Sequence, residues 1–71
     1  MVIKQWVYRE HRIALELVGG NYLSSIYEPS NSEELSYPPV VEMKHGERAA
    51  RAAAERFVDE RLGRVAGQAK R

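Results

Sequence analysis

The first half of the chain alternates. In "KQWVYREHRIALELV", residues 4–18, apolar and polar positions trade places on both sides of Glu10 and His11. That period of two is the mark of strands with one buried face. A two-residue turn at Glu10 and His11 sets Tyr8 opposite Ile13, Trp6 opposite Leu15 and Lys4 opposite Leu17. Residues directly opposite share a sheet face, so the apolar set gathers on one side. Glu-His is not the Asn-Gly or Asp-Gly that tight hairpins favour, so a longer or bulged turn over residues 9–12 is the alternative. The second turn, "VGGNY", has Gly19, Gly20 and Asn21, all tolerant of positive φ. Centring it on either adjacent pair leaves Tyr22, Ser24 and Ile26 on the face of Leu15 and Leu17. The third strand is "YLSSIYE".

Next comes "PSNSEELSYPP", residues 29–39, polar, acidic and bounded by proline. It reads as the longest and most mobile loop. "VVEMK", residues 40–44, reads as a short strand whose start lies at an edge or outside the sheet. Pro38 and Pro39 lack the N–H that a central strand needs.

The period then changes. In "GERAARAAAERFVDERLG", residues 46–63, Ala50, Ala53, Ala54, Phe57, Val58 and Leu62 recur at helical spacing and make one apolar stripe. Gly46 serves as an N-cap, Glu47 suits the positive end of the helix dipole, and Gly63 suits the C-terminal cap. The expected fold is α+β. An antiparallel β-meander of three to four strands carries one C-terminal helix on one face. Residues 1–63 form a single domain, and residues 64–71 form a frayed tail.

Composition narrows the classes of function. At 71 residues the chain is one domain, burying only about 60% of its unfolded surface. With no cysteine there is no disulfide, thiolate zinc site or thiol nucleophile, which fits a reducing compartment. No run of about 18 apolar residues spans a membrane. "MVIKQWVYRE" becomes charged too soon for a signal peptide, so the expected location is cytoplasmic.

The net charge of +1 hides a division. Residues 28–43 hold four glutamates and no base, a charge of −4, whereas residues 44–71 hold eight bases against four acids, a charge of +4. Such a chain could steer an anionic partner, or pair its acidic loop with its own basic helix. On a helical wheel Arg48, Arg51, Arg56, Arg61 and Arg64 scatter around the circumference, and Arg61 falls near the apolar stripe. Acids interleave as the i,i+4 pairs Glu47 with Arg51, Arg51 with Glu55, Arg56 with Glu60, and Glu60 with Arg64. A solvated, salt-bridged helix is the reading taken. Helices that bind phosphates concentrate base on one side.

"HGERAARAAAERFVDERL" after three strands resembles the last helix of double-stranded RNA-binding domains over about a quarter of the chain. The opening helix and Gly-Pro-x-His loop of that family have no counterpart here. Its lysine cluster is reduced to Lys44, Arg48 and Arg51, with Glu47 among them. The resemblance implies nucleic-acid contacts at those three bases, the alternative function. The whole chain is also similar to short bacterial proteins of strand–strand–strand–helix type, through "YREHRI" at residues 8–13 and "FVD" at residues 57–59. That likeness implies no activity.

Few residues offer catalysis. His11 falls in the expected turn and His45 at the helix start, both read as exposed. Without cysteines or a His-x-x-x-His pair no zinc site is expected, and "SEE" at residues 32–34 lacks the spacing of a calcium loop. Ser24 and Ser25 lack a His–carboxylate partner, and Ser24 reads as a small residue making room for the helix. "VGGN" joins two strands and has no helix dipole to hold a phosphate. One sheet under one helix leaves little volume for a pocket of about 300 Å³ or more. No enzyme activity, cofactor, metal or small-molecule substrate is expected.

The uncovered sheet face is the better lead. It carries Gln5, Val7, Ala14, Glu16, Leu23, Ser25 and Tyr27. Val7, Ala14, Leu23 and Tyr27 are the candidate docking residues for a protein partner or a second copy. A free sheet edge offers strand addition as another route.

Overall fold

The computed structural model describes the backbone of residues 2–29 and 33–69 and the side chains of residues 2–29 and 33–63. Strands β1 (Val2–Tyr8), β2 (His11–Val18), β3 (Asn21–Tyr27) and β4 (Val40–Glu42) form one antiparallel sheet in the order β1-β2-β3-β4. A 3-10 turn over Met43–His45 leads into the helix α1 (Glu47–Ala69), which packs across one face. The fold is the α+β arrangement of the alternating pattern, with the fourth strand in place. β4 begins only after the two prolines, at the sheet edge.

The first hairpin turns one residue earlier than expected. Its turn is Arg9 and Glu10, and Tyr8 pairs with His11, Trp6 with Ile13 and Lys4 with Leu15. The Tyr8–Ile13, Trp6–Leu15 and Lys4–Leu17 pairs do not form. Both turn residues take positive φ, 50° and 70°, the shape that matches the right-handed twist of the strands. From Lys4 onward this register change of two keeps each side chain on its face, so Trp6, Tyr8, Ile13 and Leu15 still point to the core side, while an irregularity between Val2 and Lys4 sets Val2 opposite Glu16. The second hairpin turns at Gly19 and Gly20, with Val18 opposite Asn21.

Ile13, Ile26, Ala54 and Val58 are the fully buried centre, flanked by Trp6, Tyr8, Leu35, Phe57 and Leu62. Leu15 and Ala50 are buried beside them. Ser24 is also buried, at 5% exposure, below a helix face of small alanines. Leu17 keeps its place on the helix-side face, opposite Tyr22, but is not buried there, at 39% exposure. Leu35 reaches the core because its N–H donates to the Ile26 carbonyl (2.7 Å), while Glu34 bridges Tyr27. This part of the long loop is therefore stitched to β3. The mobility expected of the loop's centre, residues 30–32, lies outside the described residues.

Gly46 at φ 89° turns the chain into α1, and its carbonyl accepts the Ala50 N–H at 3.3 Å. The expected C-terminal cap is corrected: α1 runs through Gly63 to Ala69. Gly63 has open space around it, and nothing there obliges the chain to turn. The fraying expected of residues 64–71 falls on side chains, and for residues 70 and 71 on backbone, outside the described residues.

A polar seam fastens α1 to β1. Lys4 Nζ meets Glu47 at 2.7 Å, Trp6 Nε1 donates to Glu55 at 3.1 Å, and the Tyr8 hydroxyl donates to Asp59 at 2.9 Å. Every second residue of the strand meets acids spaced at multiples of four along the helix, so both repeats point at one line. Of the expected helix pairs, Arg51 with Glu55 forms (3.4 Å), while Glu47 turns to Lys4 instead of Arg51. Arg56 and Glu60 form no pair among the described residues. Arg64 lies outside the described side chains.

Candidate functional site

The face away from α1 is arranged in rows set by the register. Val7, Arg12 and Tyr27 lie side by side in one row, then Gln5, Ala14 and Ser25. Glu16, Leu23 and Val40 follow, then Val18, Asn21 and Glu42. All four candidate docking residues therefore share this face. Val7, Ala14 and Tyr27 sit together around a concavity of about 260 Å³, with Gln5 and Arg12 completing its rim. Ala14 is the smallest side chain there, and its shortness opens the hollow among larger neighbours. Leu23 lies one row beyond, between Glu16 and Val40. Val7 is 65% exposed and Val40 59%, whereas Ile13, Leu15 and Ile26 on the helix side are fully buried.

Arg12 gives this face its chemistry. Its guanidinium lies over the Tyr27 ring, 5.1 Å from the centroid, a cation–π arrangement. Among the described residues it makes no ion pair. Lys4, Arg9, Lys44, Arg51 and Arg61 each face a carboxylate. The stack holds the Arg12 plane in place while leaving its charge available to a carboxylate from outside.

The candidate nucleic-acid contacts do not form a patch of free charge. Lys44 lies 3.7 Å from Glu42, and Arg51 covers the Trp6 ring at 4.9 Å while meeting Glu55. Arg48 is exposed in the first turn of α1.

His11 is a correction. It is not an exposed turn residue but is 2% exposed, at the start of β2. Its Nδ1–H donates to the Arg9 carbonyl at 3.0 Å, so Nε2 is the acceptor facing Arg61 Nη1 at 3.5 Å. Arg61 in turn pairs with Glu28, so the acidic segment meets the basic helix here, as its charge allowed. The parity of His11 with Ile13 and Leu15 was the available signal, masked by placing the turn one residue late. Both ring nitrogens are engaged and the ring is sealed, so this trio serves as a lock between loop, sheet and helix. His45 is exposed, 3.7 Å from Glu42.

Tyr8 and Asp59 perturb each other beside this lock. The hydrogen bond to Asp59, then burial, raises the Tyr8 phenol above its ordinary value. Hydrogen bonds from Arg9 and then Tyr8 hold the Asp59 carboxyl below its own. Among the described residues no three His, Cys, Asp or Glu side chains gather to hold a metal, and no helix is long and apolar enough to cross a membrane.

No protein-family model, curated protein or solved structure matches the chain. Any functional reading therefore rests on the residues themselves.

Proposed function

We propose that the protein is a small, non-enzymatic binding module that docks a protein on its open sheet face. One observation supports this reading above the others. The helix covers one side of the sheet, while the other presents Val7, Val40 and Val18 at 65%, 59% and 45% exposure, and Val7 borders a hollow shared with Arg12, which makes no ion pair among the described residues. Exposed apolar side chains beside a charged hollow are the usual dress of an interaction site.

A photo-crosslinking residue at Val7, in the native cell, tests it. A control residue goes at Ala52, exposed on the far side of α1. The reading expects an adduct from Val7 and none from Ala52. The captured protein, once purified, should bind the wild type and not Leu23→Glu. Equal labelling from both positions, or binding indifferent to Leu23→Glu, removes the proposal.

Nucleic-acid binding through Lys44, Arg48 and Arg51 is the lesser reading, since two of the three already face carboxylates. It expects Arg48→Glu with Arg51→Glu to abolish a salt-sensitive association with oligonucleotides. Binding unchanged by that pair excludes it.

A further inference from the structure

The acidic loop carries a feature that neither the core nor the open face uses. Tyr37 is 93% exposed and takes φ 59°. A non-glycine residue in the left-handed region is strained, and the following Pro38 restricts it further. A large ring held out in solvent by a strained backbone is the kind of outlier from which function is inferred.

The register says where this ring stands. Glu34 is opposite Tyr27, and Val40 is opposite Leu23. Between those points the loop spends residues 35–39 against residues 24–26 of β3. The loop thus holds two surplus residues, and counting in from both pairing points sets Tyr37, midway, level with Ser25. Ser25 lies in the row of Gln5 and Ala14, the row of the hollow. Glu34 stands level with Tyr27, in the row of Val7 and Arg12.

We infer that the occupant of the open face is a second copy of this chain, with Tyr37 of each copy seated in the hollow of the other and Glu34 of each facing Arg12. This rests on the docking reading above. A two-fold axis parallel to the strands, between β2 and β3, preserves level along the strand and exchanges β4 with β1. It therefore carries the β4 edge of one copy over β1 of the other. Tyr37 arrives at Gln5 and the hollow, and Glu34 arrives beside Val7 and Arg12. The contact is self-complementary, as a closed two-fold interface requires. Shape agrees, because a cavity of about 150 Å³ already admits benzene and the hollow measures about 260 Å³. Charge agrees too, because Arg12 lacks an ion pair among the described residues and the incoming loop is acidic.

Size sets the strength. Strands of seven, eight, seven and three residues, about 4.8 Å apart, offer roughly 400 Å² per copy. The one inserted tyrosine of each copy adds about 150–250 Å² to its own side. The total approaches a standard interface, of about 800 Å² per partner, from below, so the dimer is weak and concentration-dependent.

Sedimentation equilibrium and an NMR dilution series on the 71-residue chain test the inference, with amide dispersion confirming that each variant is folded. Tyr37→Ala removes the knob, and Ala14→Leu fills the hollow. Each alone is expected to weaken dimerisation tenfold or more. An equimolar mixture of the two is expected to associate more tightly than either, because the surviving knob of one enters the surviving hollow of the other. Arg12→Glu and Glu34→Arg are expected to weaken the dimer singly and to restore it when combined in one chain.

A wild type that stays monomeric at about millimolar concentration, where even weak complexes populate, overturns the inference. The Val7 crosslink then decides the docking reading separately. Dimerisation that survives Tyr37→Ala but fails with Leu23→Glu overturns the tyrosine contact and keeps the sheet face.

Discussion

The two hairpin turns have almost the same backbone and opposite origins. Gly19 and Gly20 sit at φ 54° and 80°, and Arg9 and Glu10 at 50° and 70°. Glycine reaches that region without steric cost, so the second turn is written locally. Arginine and glutamate do not, so the first turn has to be held from elsewhere. Its restraints are visible: Arg9 pairs with Asp59 at 2.7 Å, Tyr8 donates to the same carboxylate, and His11 bonds the Arg9 carbonyl. The second turn is tethered through its backbone, where the Met43 N–H donates to the Gly20 carbonyl at 2.9 Å. One turn is thus set by its own residues and the other by a helix some fifty positions away.

The largest break in this comparison comes from His11→Ala. It empties a buried site and frees both the Arg9 carbonyl and Arg61 from a partner. The expected loss is about 2–4 kcal/mol, summing a cavity and broken hydrogen bonds. Urea unfolding measures it. A loss under about 1 kcal/mol would show that the first turn does not depend on its anchors.

Next in size is the second turn's dependence on glycine. Gly20→Ala has open space around the new Cβ, so its cost is conformational alone. It is expected to lose about 1–2 kcal/mol. Glu10→Gly makes the reverse change at the first turn and is expected to gain up to about 1 kcal/mol, since glycine's greater unfolded freedom offsets part of the relieved strain. The same denaturation series reads both, and the opposite signs are the test. A loss at Glu10→Gly would mean that its side chain contributes more than its backbone costs.

This contrast explains what the sequence made legible. Face assignment was secure, because period-two alternation survives a shift of two in register. That is why the alternation alone places Val7, Ala14, Leu23 and Tyr27 on one side. The helix stripe was legible for the same reason, through Ala50, Ala54 and Val58. The first turn was not, because its geometry depends on Asp59 and on the burial of His11. The polar seam was also hidden. Glu47 and Glu55 have good helix partners four residues away, and only the packing of α1 reveals that Lys4 and Trp6 compete for them. Arg12 looked like any strand arginine until Tyr27 was brought beneath it from the next strand. Tyr37 read as a loop residue, since nothing in "LSYPP" announces a left-handed tyrosine.

The smallest expected effect separates the turns by pH. The Asp59 carboxyl is held below its ordinary value, chiefly by the Arg9 hydrogen bond and then by Tyr8. Its contribution to stability is therefore present above the unfolded carboxylate value and lost as pH falls through the folded one, below about pH 4. The Tyr8 phenol is raised, chiefly by its hydrogen bond to Asp59. Its contribution is complete below about pH 10 and lost as pH rises through the raised value. Between those limits the anchor is flat in pH. Asp59→Asn removes the charge that creates both limbs, so thermal midpoints of wild type and variant are expected to converge at either extreme and differ between them. Both side chains are solvent-accessible, so the difference is modest and shrinks with added salt. The second turn has no titratable residue of its own. Amide exchange at Val18 and Asn21, the pair that closes the second turn, corrected for the chemical effect of pH, is therefore expected to keep its protection where that of Tyr8 and His11, which close the first, falls. If both turns loosen together at low pH, the first turn opens only with the whole domain, and its anchors hold the fold more than the local bend.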